Sequence, residues 1–305
     1  MAQKSQTRRL REYNIMLHRT EGIVLRTIPF GEADLIVTYL TPDFGLLKTF
    51  AKSPRKIKSR FGSSLEPLTR SRISFWGKED AALPRLTQSD IIHPFQWIRD
   101  TLDCFLKVSE IIELTINFIP ERDANKKVYS LLLNTLQAIE NNLSSHIPSC
   151  ESVRTSRTPL WKRDNSPQSP FSKGGFKGDY KEGKVVFSDE NLLINHYKIK
   201  FLKFVGYAPK LDACGRCGKS GHSFYISHGS ILCEACAKGI DLPIRLSGAV
   251  LKLYTDLLTW DAVMIKRIKP SDKLLSELSD IINMHIKYIL AKPLKSEASI
   301  HSITR

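Results

Sequence analysis

The stretch EGIVLRTIPFGEADLIVTYLTPDFGLLKTFAK, from Glu21 to Lys52, holds most of three short runs rich in β-branched and aromatic residues. These runs, Arg19–Pro29, Asp34–Thr41 and Gly45–Lys52, are separated by the turn-forming sequences FGEA and PDFG. Two further strand-like runs follow at Leu68–Trp76 and Leu83–Ile92. Five short strands in about seventy residues predict a closed or nearly closed barrel, of which the OB-fold is the five-stranded type. We assign residues 19–92 to this domain.

The apolar period changes from that of a strand to that of a helix after His93 and Pro94. The helical pattern covers Phe95–Ile119, Asp123–Leu143, Ser188–Pro209, Ser247–Trp260 and Ser271–Lys292. Ser271 is a good N-cap for the last of these helices. The sequence therefore predicts an α+β multidomain protein, in which an N-terminal five-stranded OB-fold barrel precedes an α-helical domain over residues 93–305.

Two segments do not fit either domain. Residues 1–18 are interpreted as a disordered extension, and Met16 is an alternative start to Met1 because it directly precedes the first strand-like run. The segment Cys150–Lys184 is crowded with Ser, Pro, Gly and Lys and has no period. We interpret residues 144–186 as a flexible insertion, with a basic tether onto nucleic acid as the functional alternative.

The net charge of +15 and the pI near 9.5 favour polyanionic partners, with nucleic acid ahead of an anionic membrane. No apolar run approaches the roughly 18–20 residues that span a bilayer. The N-terminus lacks the apolar core of a secretory signal, so the reducing cytoplasm is the expected location.

Two Cys-x-x-Cys pairs flank fifteen residues in CGRCGKSGHSFYISHGSILCEAC, from Cys214 to Cys236. The predicted metal ligands are Cys214, Cys217, Cys233 and Cys236, in a zinc knuckle over residues 211–238. An iron–sulfur cluster is the alternative, since it also takes four thiolates. Four sulfurs fill the zinc coordination shell and leave no position for water, so a structural role for Zn²⁺ is expected.

A basic band runs from Lys48 to Arg60, where KTFAKSPRKIKSR has six cations and no acid. Strand alternation puts Phe50 on the same side as its flanking lysines, and it puts Trp76 on the same side as two arginines. Cations interleaved with aromatic rings are typical of OB-type binders of single strands. The alternative is a solvated rim with Phe50 in the core. The predicted DNA-binding residues are Lys48, Phe50, Lys52, Arg55, Lys56, Lys58, Arg60, Arg70 and Arg72.

Sequence signatures of catalysis are missing from the chain. It has no phosphate-binding loop, no dinucleotide fingerprint, no nucleophile elbow and no His-x-Glu of a zinc deaminase. We therefore predict a protein that is not an enzyme. The rival hypotheses are a zinc-ribbon factor that binds RNA in transcription or translation, and a zinc enzyme that acts on nucleic acid.

The order of these parts resembles the RecO family of bacterial recombination mediators. EGIVLRTIPFGEADLIVTYLTPDFGLLKTFAK with KSRFGSSLEPLTR resembles the family's opening, and FLKFVGYAPKLDACGRCG with ILCEAC resembles its zinc segment. The resemblance covers about Thr20 to Lys292, leaving out the N-terminal tail and the insertion.

The resemblance implies a cytoplasmic, nucleoid-associated DNA repair role without catalysis. Family members bind single- and double-stranded DNA, anneal complementary strands, and act with RecR to help RecA replace single-strand-binding protein (SSB). They also engage the acidic C-terminal tail of SSB through an apolar, basic-edged pocket on the helical domain.

Overall fold

The structure is a computed structural model that describes residues 16–55, 59–77, 81–145, 188–221, 223–239, 243–265, 267–292 and 294. Most of the predicted extension and nearly all of the predicted insertion, with Cys150, lie outside these residues. The first strand begins at Met16, so residues 16–18 belong to the barrel and not to the predicted extension.

Five strands form a closed barrel in the order β1-β2-β3-β5-β4. The strands are β1 (Met16–Phe30), β2 (Asp34–Thr41), β3 (Gly45–Ala51), β4 (Arg70–Gly77) and β5 (Arg85–His93). Only β3 and β5 pair in parallel; a 3₁₀ helix, Gly62–Leu65, lies between β3 and β4. The long β1 pairs with β4 through its first half and with β2 through its second half. This closure confirms the predicted OB-like fold class.

Strand alternation fills the barrel with apolar side chains, as a small closed barrel requires. The buried interior residues include Val24, Val37, Tyr39, Leu47, Ala51, Ile73, Phe75 and Leu86. A bulge at Leu25 shifts the β1–β2 register, because Val24 pairs with Tyr39 and Arg26 pairs with Thr38. Beyond the bulge, Arg26 and Ile28 therefore point outward.

The helical domain contains seven α-helices among the described residues. They are α1 (Gln96–Asp100), α2 (Leu102–Phe118), α3 (Lys126–Ser145), α4 (Ser188–Phe204), α5 (Gly248–Thr259), α6 (Ala262–Ile265) and α7 (Asp272–Leu290). The hydroxyls of Ser247 and Ser271 accept backbone hydrogen bonds and cap α5 and α7. The predicted single helix over Phe95–Ile119 is wrong, because extended backbone at Thr101 divides it.

Helix α4 is the centre of the helical domain, since it contacts α2, α3, α5, α6 and α7. Tyr197 and Phe201 are fully buried on it and stack on each other. Lys198 is also buried, and its ammonium group donates to Glu110 on α2 and to Asn283 on α7. No helix in the described part of the chain is long and apolar enough to cross a membrane.

The barrel and the helices share one apolar core. Ile23, Leu25, Leu40, Leu46 and Leu68, which point out of the barrel, belong to the same buried cluster as the helix residues. One end of the outer barrel surface is therefore covered by the helical domain.

At Gly45 the backbones of the two domains come close together. This glycine lies in the β2–β3 turn with φ +58, where a Cβ atom would stand 1.9 Å from the carbonyl oxygen of Asp123. The chain after α2 is fixed to β3 there, since the Arg122 N–H donates to the Leu46 carbonyl at 3.1 Å. Beside this bond Lys48 makes an ion pair with Glu121, and on α3 the Tyr129 hydroxyl donates to Glu21 at 3.0 Å.

We expect Gly45→Ala to lower the free energy of unfolding by more than about 2 kcal/mol, because both the positive φ and the Asp123 carbonyl oppose a Cβ. Gly31→Ala is the matched control, since Gly31 has φ +63 and open space around it, and it should cost only about 1 kcal/mol. Urea unfolding of both variants measures the difference. Equal decreases in the free energy of unfolding would show that the two domains are not in close contact at this turn.

Candidate functional site

The outer face of β1, β2 and β3 presents its side chains in rows that follow the strand register. The first row beyond the residues that the helices cover consists of Arg26, Thr38 and Lys48. Arg26 pairs with Thr38, and Thr38 pairs with Lys48. Ile28, Ile36 and Phe50 form the next row by the same pairing. Along the strands, this face therefore changes from buried aliphatic residues beneath the helices to an exposed apolar surface at the opposite end.

Four residues make up this apolar surface, which we call the platform: Ile28, Phe30, Ile36 and Phe50. Phe30 is 52% exposed and Ile28 is 45% exposed, and both lie beside Ile36 and Phe50, so their apolar surface is grouped on one face. The rings of Phe30 and Phe50 meet edge to face with centroids 5.9 Å apart. Such an arrangement leaves aromatic surface open to a planar ligand.

The loop after β3 brings cations to the edge of the platform. The Ser53 N–H donates to the Asp34 carboxylate at 2.6 Å, and the Arg55 N–H donates to the Ala33 carbonyl at 3.3 Å. These bonds fold the loop against the β1–β2 turn. Lys52 and Arg55 are both exposed, and Arg26 is exposed on the adjacent row.

The other predicted DNA-binding residues have varied surroundings. Lys48 pairs with Glu121, and Arg60 is exposed with its guanidinium 4.9 Å from the centroid of the Phe61 ring. Phe50 is half-buried and belongs to the platform. Lys56 and Lys58 lie outside the described residues.

Arg70 and Arg72 lie on β4, which pairs with the first half of β1 and not with the half that carries the platform. Arg70 donates to Glu21 at 2.8 Å. Arg72 is exposed, but its cross-strand neighbours are Glu21 on β1 and Asp90 on β5. The structure therefore separates these two arginines from the platform and surrounds them with carboxylates.

Arg26, Ile28 and Phe30 on β1, and Ile36 on β2, are the residues of this face that sequence analysis missed. Alternation within β1 could have placed the first three on one side of the strand. The bulge at Leu25 changes which side faces outward, and the sequence gives no signal for it.

The four predicted cysteine ligands come together in the structure. Their sulfur atoms all lie within 4.8 Å of one another, and Cys217 Sγ is 3.5 Å from Cys233 Sγ. A tetrahedral zinc site with Zn–S bonds of about 2.3 Å separates its sulfurs by about 3.8 Å. The cluster therefore fits one metal ion that is bound by four thiolates.

The backbone of the knuckle sets this geometry. Gly218, with φ +75, closes the first Cys-x-x-Cys turn by donating to the Cys214 carbonyl at 2.9 Å. The Gly215 N–H donates to the Ile231 carbonyl at 2.8 Å, and a Cβ at Gly215 would meet Ser230 Oγ at 2.4 Å. The first cysteine turn therefore lies directly against the strand that leads to Cys233.

Three very short strands support the cysteine turns, and the sequence did not predict them. They are β6 (Ser223–Tyr225), β7 (Ser230–Leu232) and β8 (Ile244–Arg245), in the order β7-β6-β8. Strands of two or three residues are too short to give a clear alternation.

The thiols are electrostatically suited to a cation. Backbone N–H groups, above all that of Cys233, lower the pKa of Cys214 to about 6. Side-chain hydrogen bonds with Cys217 and Cys233 raise the pKa of Cys236 to about 12, because they stabilise its protonated form and make a further thiolate costly. A bound divalent cation removes that penalty and lets all four sulfurs bind as thiolates.

His228 is not part of the sulfur cluster. His228 Nε2 accepts from Arg216 at 2.9 Å, and its Nδ1 contacts the Ser227 hydroxyl at 3.0 Å. His222 lies outside the described residues.

A groove of about 530 Å³ lies between the knuckle and the end of α7. It is lined by Ile226, Met284, Lys287, Tyr288, Ala291 and Lys292. Tyr288 is 56% exposed and Met284 is 38% exposed, so the floor is apolar and open. The two lysines are the only charged residues among its described lining, and they make the edge positive.

Comparison with known proteins agrees with this architecture. The family described as Recombination protein O N terminal matches residues 16–95, and Recombination protein O C terminal matches residues 183–298. The DNA repair protein RecO of Thermodesulfovibrio yellowstonii is 40% identical over 281 residues, which cover 90% of this chain and 94% of that protein. DNA repair protein RecO of Syntrophus aciditrophicus is 29% identical, over 94% of this chain and 96% of that protein.

The two matches cover the barrel with its platform and the part of the helical region from α4 onward, with its four cysteines. The similarity to the relatives also extends across both domains and through the connection between them. The chain belongs to the RecO family of DNA repair and recombination proteins.

Proposed function

We propose that this chain binds single- and double-stranded DNA, anneals complementary strands, and acts with RecR to help RecA load onto DNA coated with SSB. The observation that carries the proposal is the platform, an exposed aromatic and aliphatic surface on an OB-type sheet with cations at its edge. The net charge of +15 and the family's role in DNA repair support it. Such a role belongs in the cytoplasm, with the nucleoid.

Binding on the platform combines two physical effects. Lys52, Arg55 and Arg26 neutralise phosphates, and the rings of Phe30 and Phe50 stack on bases. Lys56, Lys58 and Arg60 follow in the same basic band and add to the attraction. We give Lys48 and Arg70 a smaller share, because carboxylates already neutralise them.

Annealing follows from charge screening and requires no bond to be broken. Two complementary strands repel each other through their phosphates, and a cationic surface lowers that repulsion while it concentrates both strands. The same surface binds any sequence, since phosphate contacts and stacking do not discriminate strongly between bases. The proposal therefore assigns no catalytic residue.

We expect Lys52→Gln with Arg55→Gln to weaken binding of a single-stranded oligonucleotide and to reduce the slope of log K against log salt by about 1.4 units, or 0.7 for each lost phosphate contact. Lys269→Gln with Lys273→Gln removes the same charge from exposed positions around the start of α7, and it should leave the slope unchanged. Fluorescence anisotropy at several salt concentrations measures both.

Phe30→Ala should weaken the same binding roughly tenfold with an unchanged slope, since stacking is not electrostatic. Trp97→Ala, which removes an exposed ring from α1, is its control. The assignment of the platform is wrong if the two charge variants behave alike, or if Phe30→Ala binds normally. Tighter binding of a matched RNA than of DNA would favour the rival role in transcription or translation.

We propose that the four cysteines hold a structural Zn²⁺. Four thiolates supply the whole tetrahedral shell, so the ion has no position for water or substrate. In the described residues the knuckle contributes only a small apolar cluster of its own, around Cys214, Tyr225, Leu232 and Cys233. The ion compensates for that small core by linking the two turns.

We also propose that the groove beside α7 receives the acidic C-terminal tail of SSB. Its floor is apolar, its edge carries Lys287 and Lys292, and its described lining contains no carboxylate. An acidic peptide with apolar residues is complementary to such a surface. This contact would hold the protein on SSB-coated DNA while the platform binds the single-stranded DNA.

The most direct functional test is annealing of two complementary oligonucleotides that are both coated with SSB. We expect annealing with intact SSB and a large loss with SSB that lacks its tail, because recruitment then fails. Lys287→Glu with Lys292→Glu should reproduce that loss, and Lys269→Glu with Lys273→Glu should not. Equal annealing with both forms of SSB would refute the role of the tail.

A further inference from the structure

The groove beside α7 is built from two elements that the chain could separate. Met284, Lys287 and Tyr288 belong to α7, and Lys292 follows it. Ile226 comes instead from the knuckle, in the short 3₁₀ turn Ile226–His228 between β6 and β7. The groove therefore keeps its shape only while the knuckle stays against the helix.

The β6–β7 hairpin is too short to hold its own conformation. Each strand has three residues, β8 adds only two beside β6, and an isolated hairpin is at best marginally stable in water. The hairpin is tied to the cysteine turns, because the Ile231 carbonyl accepts from the Gly215 N–H at 2.8 Å and Cys233 directly follows β7. The sulfur cluster thus fixes the end of the hairpin opposite the turn.

Apart from the apolar contacts of Phe224, Ile226 and Ile231 with the main core, the described contacts of the turn are local. The Phe224 ring lies 6.0 Å from the His285 ring on α7, and a Cβ at Gly229 would stand 3.2 Å from His285. His285 Nε2 contacts the Tyr207 carbonyl at 2.9 Å, which places that ring between the helix and the chain before the knuckle. The Lys210 N–H donates to Gly229 at 2.9 Å.

The main core does not depend on the sulfur cluster. Phe224 and Ile231 reach that core, but Cys214, Tyr225, Leu232 and Cys233 form a separate small cluster. This small cluster contains no residue of the barrel or its platform. Loss of the ion should therefore loosen the hairpin and its turn while the barrel and the central helices remain folded.

We propose that the metal knuckle is the wall of the groove, so that metal occupancy controls the affinity of the groove for an acidic peptide. This inference rests on the proposed function of the groove and adds a regulation to it. Metal loss withdraws Ile226 and leaves Met284, Tyr288 and the two lysines on an open helix surface. The DNA platform stays active, so strand binding and recruitment to SSB become separable.

The experiment uses the full chain loaded with zinc and the same chain stripped with a mercurial reagent and a chelator. We expect a fluorescein-labelled SSB tail peptide to bind roughly tenfold more weakly after stripping, because apolar contact at one wall is lost. Binding of a single-stranded oligonucleotide and the helical circular dichroism signal should not change. Removal of the mercurial by thiol, followed by zinc, should restore peptide binding.

A pair of variants tests the same coupling with the metal retained. Ile226→Ala should weaken peptide binding and remove most of its dependence on zinc. Ser227→Ala, which changes an exposed residue of the same turn that does not line the groove, should do neither.

The outcomes separate this inference from the function on which it rests. If the zinc-loaded protein fails to bind the peptide, the proposed function of the groove is wrong. If it binds and stripping leaves the affinity unchanged, the coupling is wrong. Loss of helical signal and of oligonucleotide binding together with the metal would also contradict it, because the knuckle would then support the whole fold.

Discussion

One part of the outer face of β1, β2 and β3 is buried beneath the helices, and the other part is exposed to solvent. The arrangement of the two domains depends on this division. At one end Ile23, Leu40 and Leu46 are buried beneath the helices. At the other end Ile28 and Phe30 remain exposed. If the helices covered the whole face, it would have no apolar surface for a DNA strand. If they covered none of it, several aliphatic side chains would face water.

The line between these two halves is fixed mainly by packing and not by charge. Gly45 permits the backbone after α2 to touch the β2–β3 turn, and apolar burial on either side of that turn contributes roughly 25 cal/mol for each Å² removed from water. The Lys48–Glu121 pair lies on the same line but is exposed, and such pairs contribute about 0–1 kcal/mol. The Lys48–Glu121 pair therefore contributes little to the stability of the contact between the domains.

Much of this architecture was readable from the sequence, because local signals agreed with the final structure. Alternation and turn residues predicted the five strands, Ser271 predicted the start of α7, and the cysteine spacing predicted the sulfur cluster. The break at Thr101 was not predictable, since no glycine or proline marks it. The carboxylate partners of Lys48 and Arg70 were also hidden, because they lie far away in the sequence. Tertiary contacts decided the two ion pairs.

The platform on the barrel and the groove beside α7 differ in shape and chemistry, and each suits a different kind of proposed partner. The platform offers aromatic rings and exposed cations, which suit a flexible polyanion. The groove offers a concave apolar floor and two lysines, which suit a short acidic peptide. They lie on different domains, so a strand and a protein partner need not compete for the same residues.

The central claim is that the exposed half of the β1–β2–β3 face carries the DNA. Hydrogen exchange measured by mass spectrometry, with and without a saturating single-stranded oligonucleotide, tests it most directly. The account predicts added protection in peptides that contain residues 26–36 and 48–55, with none in peptides of β5 or α7. Protection confined to β4, β5 or the helical domain would contradict it.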